Sequence, residues 1–299
     1  MAGGCTVEVV RGSPATLVAS CDGTVYVVDP GHGRKRAKQL AKKLRGSGSV
    51  VIVVTHHHSD HHAAIAEGLA DALTGAGTSL RVLAPEADAP AVADPRLRVL
   101  ATFSYPLDPS SPLLPFRAPG VRVDEAYSPP ASVGPLEAVP LPGHTLGQAG
   151  ILAPDGTLYA ADALFGERVL ERYGAPYHLD PCVALESLGV IEGMLPRLEA
   201  VQPSHGPLTP APEAQGLIDA NRGAIQALLN LILEETGREP LDSGEIAARA
   251  ASRLGAVPEP GMLMLIEATV RGSLACLSRQ GLVEARVEAG RLAWRAVRG

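Results

Sequence analysis

Aromatic side chains are scarce in this 299-residue chain, at 3% with a single tryptophan. Aliphatic residues and alanine dominate instead, and the mean hydropathy is slightly positive at +0.12. That balance excludes a disordered polymer and implies a soluble globular protein, either one large domain with an appendage or two modest domains. No apolar run approaches the ~18 residues needed to span a bilayer, so no membrane partner is expected. The start, Met1 to Cys5, lacks the basic and apolar stretches of a secretion signal, and the expected location is cytoplasmic. The four cysteines, Cys5, Cys21, Cys182 and Cys276, show no paired spacing. They read as small buried hydrophobes rather than a disulfide frame or a thiolate metal site. Only four lysines occur, all between Arg34 and Arg45. This basic stretch reads as a helix with a solvated outer face, a phosphate-facing patch being the lesser reading. The net charge of −6 argues against a general nucleic-acid coat, and residues 237–299 hold nine arginines against seven acidic residues. Neither figure names a partner.

What the chain does have is histidine concentrated in one place. Thr55-His56-His57-His58-Ser59-Asp60-His61-His62 directly follows the apolar, β-branched run Val50 to Val54, and apolar positions 65, 69, 72 and 73 then repeat with a helical period. The cluster therefore sits where a strand hands over to a helix, the position at which α/β proteins place their ligand sites. A turn there can aim His56 and His58 at one point, and Asp60 and His61 at a second point close by. Imidazole with carboxylate suits zinc and its first-row neighbours.

Other strand ends deliver more such residues. Thr6 to Val10, Ala15 to Cys21 and Val25 to Asp29 read as an opening β-meander. Asp29 ends a strand beside the cluster, where it could hydrogen-bond a ligand imidazole or merely cap the next turn. Leu80 to Leu83 and Arg98 to Thr102 read as strands. Residues 104–135 form a Pro- and Ser-rich segment too long for a plain connection. Leu136 to Leu141 leads into Gly143-His144-Thr145, a hairpin turning at Pro154-Asp155-Gly156 ends in Asp162, and a short strand at Ala200 runs into Ser204-His205-Gly206. Pro207 to Pro212 marks a boundary, giving domains 1–210 and 211–299. Beyond it the pattern predicts a helix over 213–235, a second from Ser243, a third over 260–280, and a hairpin over 282–297.

Thr-His-x-His-x-Asp-His at 55–61, Gly-His-Thr at 143–145, the strand-closing Asp162 and Ser-His-Gly at 204–206 resemble the metallo-β-lactamase superfamily across roughly the first 210 residues. The resemblance implies an αββα sandwich in the α/β (α+β) class, with a binuclear metal site at one edge. It makes His56, His58 and His144 ligands of one ion, Asp60, His61 and His205 ligands of another, and Asp162 the bridge. Two zinc ions are expected, iron or manganese being possible in their place. The implied chemistry is hydrolysis by a hydroxide held between the ions, with Asp60 also orienting it or taking its proton. Flavin-linked di-iron members typically carry Glu where His58 stands. True β-lactamases lack the aspartate found here as Asp162, and nucleases with a large insertion are excluded by the short span from Asp162 to His205. What remains resembles hydroxyacylglutathione hydrolases, lactonases and small endoribonuclease-like proteins. The expected substrate is accordingly a small thioester or lactone, with endoribonuclease action on RNA the alternative. The family often has a Gly pair where Ala63-Ala64 stand, which leaves the local backbone shape open.

His57 and His62 fall outside this pattern and read as structural. The segment following Asp162 would flank the substrate, so Tyr177 and His178 are the expected substrate-binding residues. The C-terminal part resembles a winged helix. Its charge favours a packing or dimerising appendage, and so a possible homodimer, over an RNA reader.

Overall fold

The computed structural model describes residues 4–114, 117–174, 176–255 and 259–297. The first sheet holds β1 (Thr6–Val10), β2 (Thr16–Cys21), β3 (Thr24–Val28), β4 (Ser49–Val53), β5 (Ser79–Pro85) and β6 (Glu125–Tyr127), side by side in that order. β1 to β3 form the expected antiparallel meander, whereas β3 to β6 run parallel. The second sheet holds β7 (Ala131–Val133), β8 (Leu136–Pro140), β9 (Ala149–Leu152), β10 (Thr157–Phe165), β11 (Ala200–His205) and β12 (Thr209–Pro210).

Side-chain alternation explains the layering. In β4, Val51 and Val53 face the second sheet and join Leu17, Leu83, Ile151 and Tyr159 in an inter-sheet core. Val50 and Ile52 face the other way, against Leu40, Leu44, Leu69 and Leu73. A strand covered on both faces needs apolar residues at every position, which is why this stretch reads as a continuous run. The outer cover of the first sheet is α1 (Arg34–Lys43), α2 (Ser59–His62) and α3 (Ala70–Thr74), followed by α4 (Ala89–Ala93) and α5 (Pro95–Phe103). The second sheet is covered by α6 (Glu167–Tyr173), α7 (Pro181–Met194) and α8 (Ala214–Arg238). The result is the αββα sandwich.

One apolar cluster continues from Leu158 and Val201 through α7 and α8 into α9 (Ser243–Arg253), α10 (Pro260–Arg279) and the hairpin β13 (Val283–Glu288) and β14 (Arg291–Ala296). α10 holds an 18-residue window with a mean hydropathy of 1.3. Its Ile266, Val270, Leu274 and Leu277 are buried in this shared core, which accounts for the apolar composition.

Three expectations need correction. Arg98 to Thr102 is not a strand but part of α5, because Asp94 caps the Arg96 N–H at 2.8 Å and Pro95 occupies the first turn. The helix expected over 63–73 is broken at Gly68, where φ is 120°. The break lets the Glu67 carboxylate accept the Gly33 N–H at the start of α1. The cysteines are not free: Cys5 bonds Cys21 and Cys182 bonds Cys276. The first bond joins the residue before β1 to the end of its neighbour β2, and the second joins α7 to α10 across 94 residues of sequence, a proximity that only the tertiary fold creates.

Candidate metal centre

The histidine-rich turn is held from beneath by two buried aspartates. Asp29, at the end of β3, accepts the Thr55 N–H at 2.9 Å and the Thr55 hydroxyl at 2.6 Å, and its Oδ2 lies 2.8 Å from His61 Nδ1. Of its two readings, support of a ligand-type imidazole is the one the geometry selects. Asp88, following β5, accepts the His57 N–H at 3.0 Å and also contacts His57 Nδ1. It further accepts Gly147 N–H at 2.7 Å and Thr145 Oγ1 at 3.2 Å, tying the cluster to the His144 loop. His57 Nδ1 is thus committed to Asp88 while its ring meets His58 edge-on, the centroids 4.8 Å apart. His62 meets the His57 carbonyl at 3.1 Å, and burial, then Arg98, push its pKa down to about 3. Both are structural, as the sequence suggests.

The remaining side chains converge as two triads. Ring nitrogens of His56, His58 and His144 lie within 4.8 Å of one another. His144 Nδ1 donates to the Tyr177 carbonyl at 2.7 Å, which leaves Nε2 bare and 2.8 Å from His58 Nδ1. Ligand atoms of Asp60, His61 and His205 also lie within 4.8 Å of one another. His205 Nδ1 is engaged by Ser13 Oγ at 2.8 Å, so Nε2 faces Asp60 Oδ2 at 3.4 Å. Asp162 sits between the triads, its oxygens 3.4 Å from His61 Nε2, 3.4 Å from His144 Nε2 and 3.7 Å from His205 Nε2. β10 reaches this point through an irregularity: Ala161 has φ 50° and the register against β11 shifts on either side of it. Such a bulge re-aims the side chain beside it.

Electrostatics divide the triads. Burial, reinforced by neighbouring imidazoles, holds His56 and His58 well below the ordinary histidine pKa, and burial lowers His144 as well. These three are neutral bases. Burial opposes charge on His61 and His205 too, but Asp162 and Asp60 overcome it and raise both. Burial would raise the carboxyls, yet His61 draws Asp60 down and His61, His205 and His144 draw Asp162 well below its ordinary value. Buried Nε2 atoms of His56 and His58 have no hydrogen-bond partner among the described residues. Unpartnered lone pairs on neutral buried imidazoles, beside ionised carboxylates, fit divalent cations.

A cavity of about 550 Å³ opens over these residues. His58, Asp60, His144, Asp162 and His205 line its floor; α5, α6 and α10 line its walls. Tyr177 lines it as expected, with its hydroxyl 3.4 Å from the Thr102 carbonyl. His178 is not among the lining residues: it is 2% exposed and packs edge-on behind His144. Ser13, Asp88 and the α10 wall were not singled out from sequence. Ser13 and Asp88 carry no local pattern, and each matters only through a partner distant in the chain.

Residues 9–205 match the model of the metallo-beta-lactamase superfamily. The chain belongs to that superfamily, whose members are metal-dependent hydrolases that bind divalent metals. No curated protein matches the sequence. Among solved structures, a beta-lactamase domain protein from Burkholderia ambifaria is similar at 19% identity with a TM-score of 0.67, the match covering 98% of this chain and 91% of that one. A metallo-beta-lactamase from Pontibacter korlensis matches at 18% identity with a TM-score of 0.51, over 74% of this chain and 99% of that one. The first match extends the shared fold through the C-terminal helices and hairpin.

Proposed function

We propose that this chain is a binuclear zinc hydrolase acting on a small thioester or lactone. The observation carrying this reading is the walled cavity of about 550 Å³ placed directly over the two triads, a volume suited to a small molecule. His56, His58 and His144 would hold one ion, Asp60, His61 and His205 the second, with Asp162 shared. The ions, when bound, supply Lewis-acid polarisation and a water acidic enough to attack near neutral pH. The chain's own residues do the rest. Asp29 and the Tyr177 carbonyl fix the tautomers of His61 and His144 by occupying their Nδ1 atoms. Asp60, lining the cavity, accepts the proton of the attacking water. Val99, Phe103 and Ile266 exclude solvent around the acyl group.

In the same reading the segment 211–299 is a winged-helix-like appendage that walls the active site. Supporting this over RNA binding, Arg279 is spent on Asp180 at 2.6 Å and Arg271 on Glu267 at 2.7 Å. A panel of thioesters, lactones, phosphodiesters and RNA with the zinc-loaded protein tests the proposal. Turnover of thioesters or lactones, abolished in Asp60→Ala, is expected; cleavage of RNA alone would replace this reading with the endoribonuclease one.

A further inference from the structure

Arg98 stands on α5, one wall of the cavity, and is 6% exposed. Its Nη2 donates to the Ala118 carbonyl at 2.5 Å, while its Nη1 is buried without a hydrogen-bond partner among the described residues. The nearest acid along the helix, Asp94, is occupied by Arg96 at 2.7 Å, and Arg98 forms no ion pair among the described residues. A desolvated guanidinium without a counter-charge is costly, and a single bond to a neutral carbonyl offsets only part of that cost. Burial pushes its pKa down only to about 10, so it is charged at neutral pH.

The surroundings define what would meet it. Val99, Phe103 and Leu114 pack together with Leu265 into an apolar cluster beside the cavity. Outside the two triads and Asp162, the charged side chains lining the cavity are Arg98, Arg168, Arg172 and Glu259. Arg168 and Arg172, on α6, are exposed, so they form a positive rim above the buried cation.

We infer that Arg98 is the anchor for an anionic group on the substrate, a distal carboxylate or phosphate on an acyl chain whose carbonyl lies over the triads. The planar fork of a guanidinium binds either oxyanion through paired hydrogen bonds, and the rim arginines draw the anion in. This inference rests on the proposed hydrolase reading and adds a substrate class to it.

The test uses the zinc-loaded protein and thioesters of one uncharged thiol, with acyl chains of equal length ending in methyl, carboxylate or phosphonate. A kcat/KM at least about tenfold higher for an anionic chain is expected, as for a charge-assisted hydrogen bond, and the better of the two anions identifies the source. Arg98→Met should erase that preference, so that anionic and methyl-ended chains are handled alike. Independently of turnover, calorimetry should show glutarate binding wild type at least about tenfold more tightly than pentanoate, and Arg98→Met binding the two alike. Equal handling of methyl- and carboxylate-ended substrates by wild type, or glutarate no tighter than pentanoate, overturns the inference even if Arg98→Met does not fold. Arg98-dependent glutarate binding without any thioester turnover would keep the anion site and sink the thioester reading.

Discussion

Two aspartates of similar burial do different work at the residue scale. Asp29 touches His61 from behind, and Asp60 faces the cavity. Asp29→Asn retains an acceptor for Thr55 but removes the carboxylate from His61 Nδ1, so metal affinity should fall about 10–100-fold with the fold intact, as measured by competition with a chromophoric chelator. On the proposed reading Asp60→Ala removes a ligand and a proton acceptor together and should lower kcat by at least about 10²-fold. On the same proposed reading the raised pKa values of His61 and His205 set the pH dependence of metal uptake. Both must shed protons before they can ligate, so binding releases protons and affinity falls as pH is lowered. Calorimetry in buffers of different ionisation enthalpy reads this directly; an affinity independent of pH between about 5 and 8 would contradict it. The ligand-type residues were legible in the sequence because most end a strand or follow one; Asp162, read as closing its strand, lies instead within β10 beside the bulge at Ala161, and the strand runs on to Phe165. Their supports were not: Asp29 read equally well as a cap, and nothing near Ser13 or Asp88 announces a partner 192 or 31 residues away.

Element-scale stability in the C-terminal part concentrates at one side chain. Glu235 on α8 is buried and meets Arg249 at 2.5 Å, Arg253 at 2.7 Å and Arg238 at 3.0 Å, binding α9 to α8. Glu235→Gln should cost on the order of 2–3 kcal/mol in urea unfolding, less than a fully buried pair because the arginines are partly exposed. The arginines hold its pKa below the ordinary glutamate value. The stability it contributes is therefore full above the unfolded-state pKa and is lost as pH falls toward the native one, a loss Glu235→Gln should not show. Sequence patterning located α8, α9, α10 and the hairpin closely, since amphipathic helices carry their period locally. It misread Arg98 to Thr102, whose short apolar run Val99-Leu100-Ala101 fits a strand until the capping Asp94-Pro95 is weighed.

Over the whole molecule, two sheets and two outer helical layers bring the segments after β4, β8 and β11 and the bulged β10 to one edge, and the C-terminal helices share the core that supports them. The disulfide between Cys182 and Cys276 fastens this arrangement, joining α7, which begins beside the segment backing His144, to the α10 cavity wall. Reduction should lower unfolding stability by about 2–4 kcal/mol, and thiol titration of the unreduced, denatured protein should find no free cysteine. That pairing was illegible in the sequence, because spacing along the chain says nothing of contacts the topology makes. The cavity was hidden for the same reason: its walls come from α5, α6 and α10, far apart in sequence. The central claim, that two triads sharing Asp162 hold a pair of ions, is tested most directly by elemental analysis of metal-saturated, desalted protein. Two equivalents per chain are expected, falling to about one in Asp60→Ala, where one triad loses a ligand; a saturated wild-type protein holding fewer than two would contradict it.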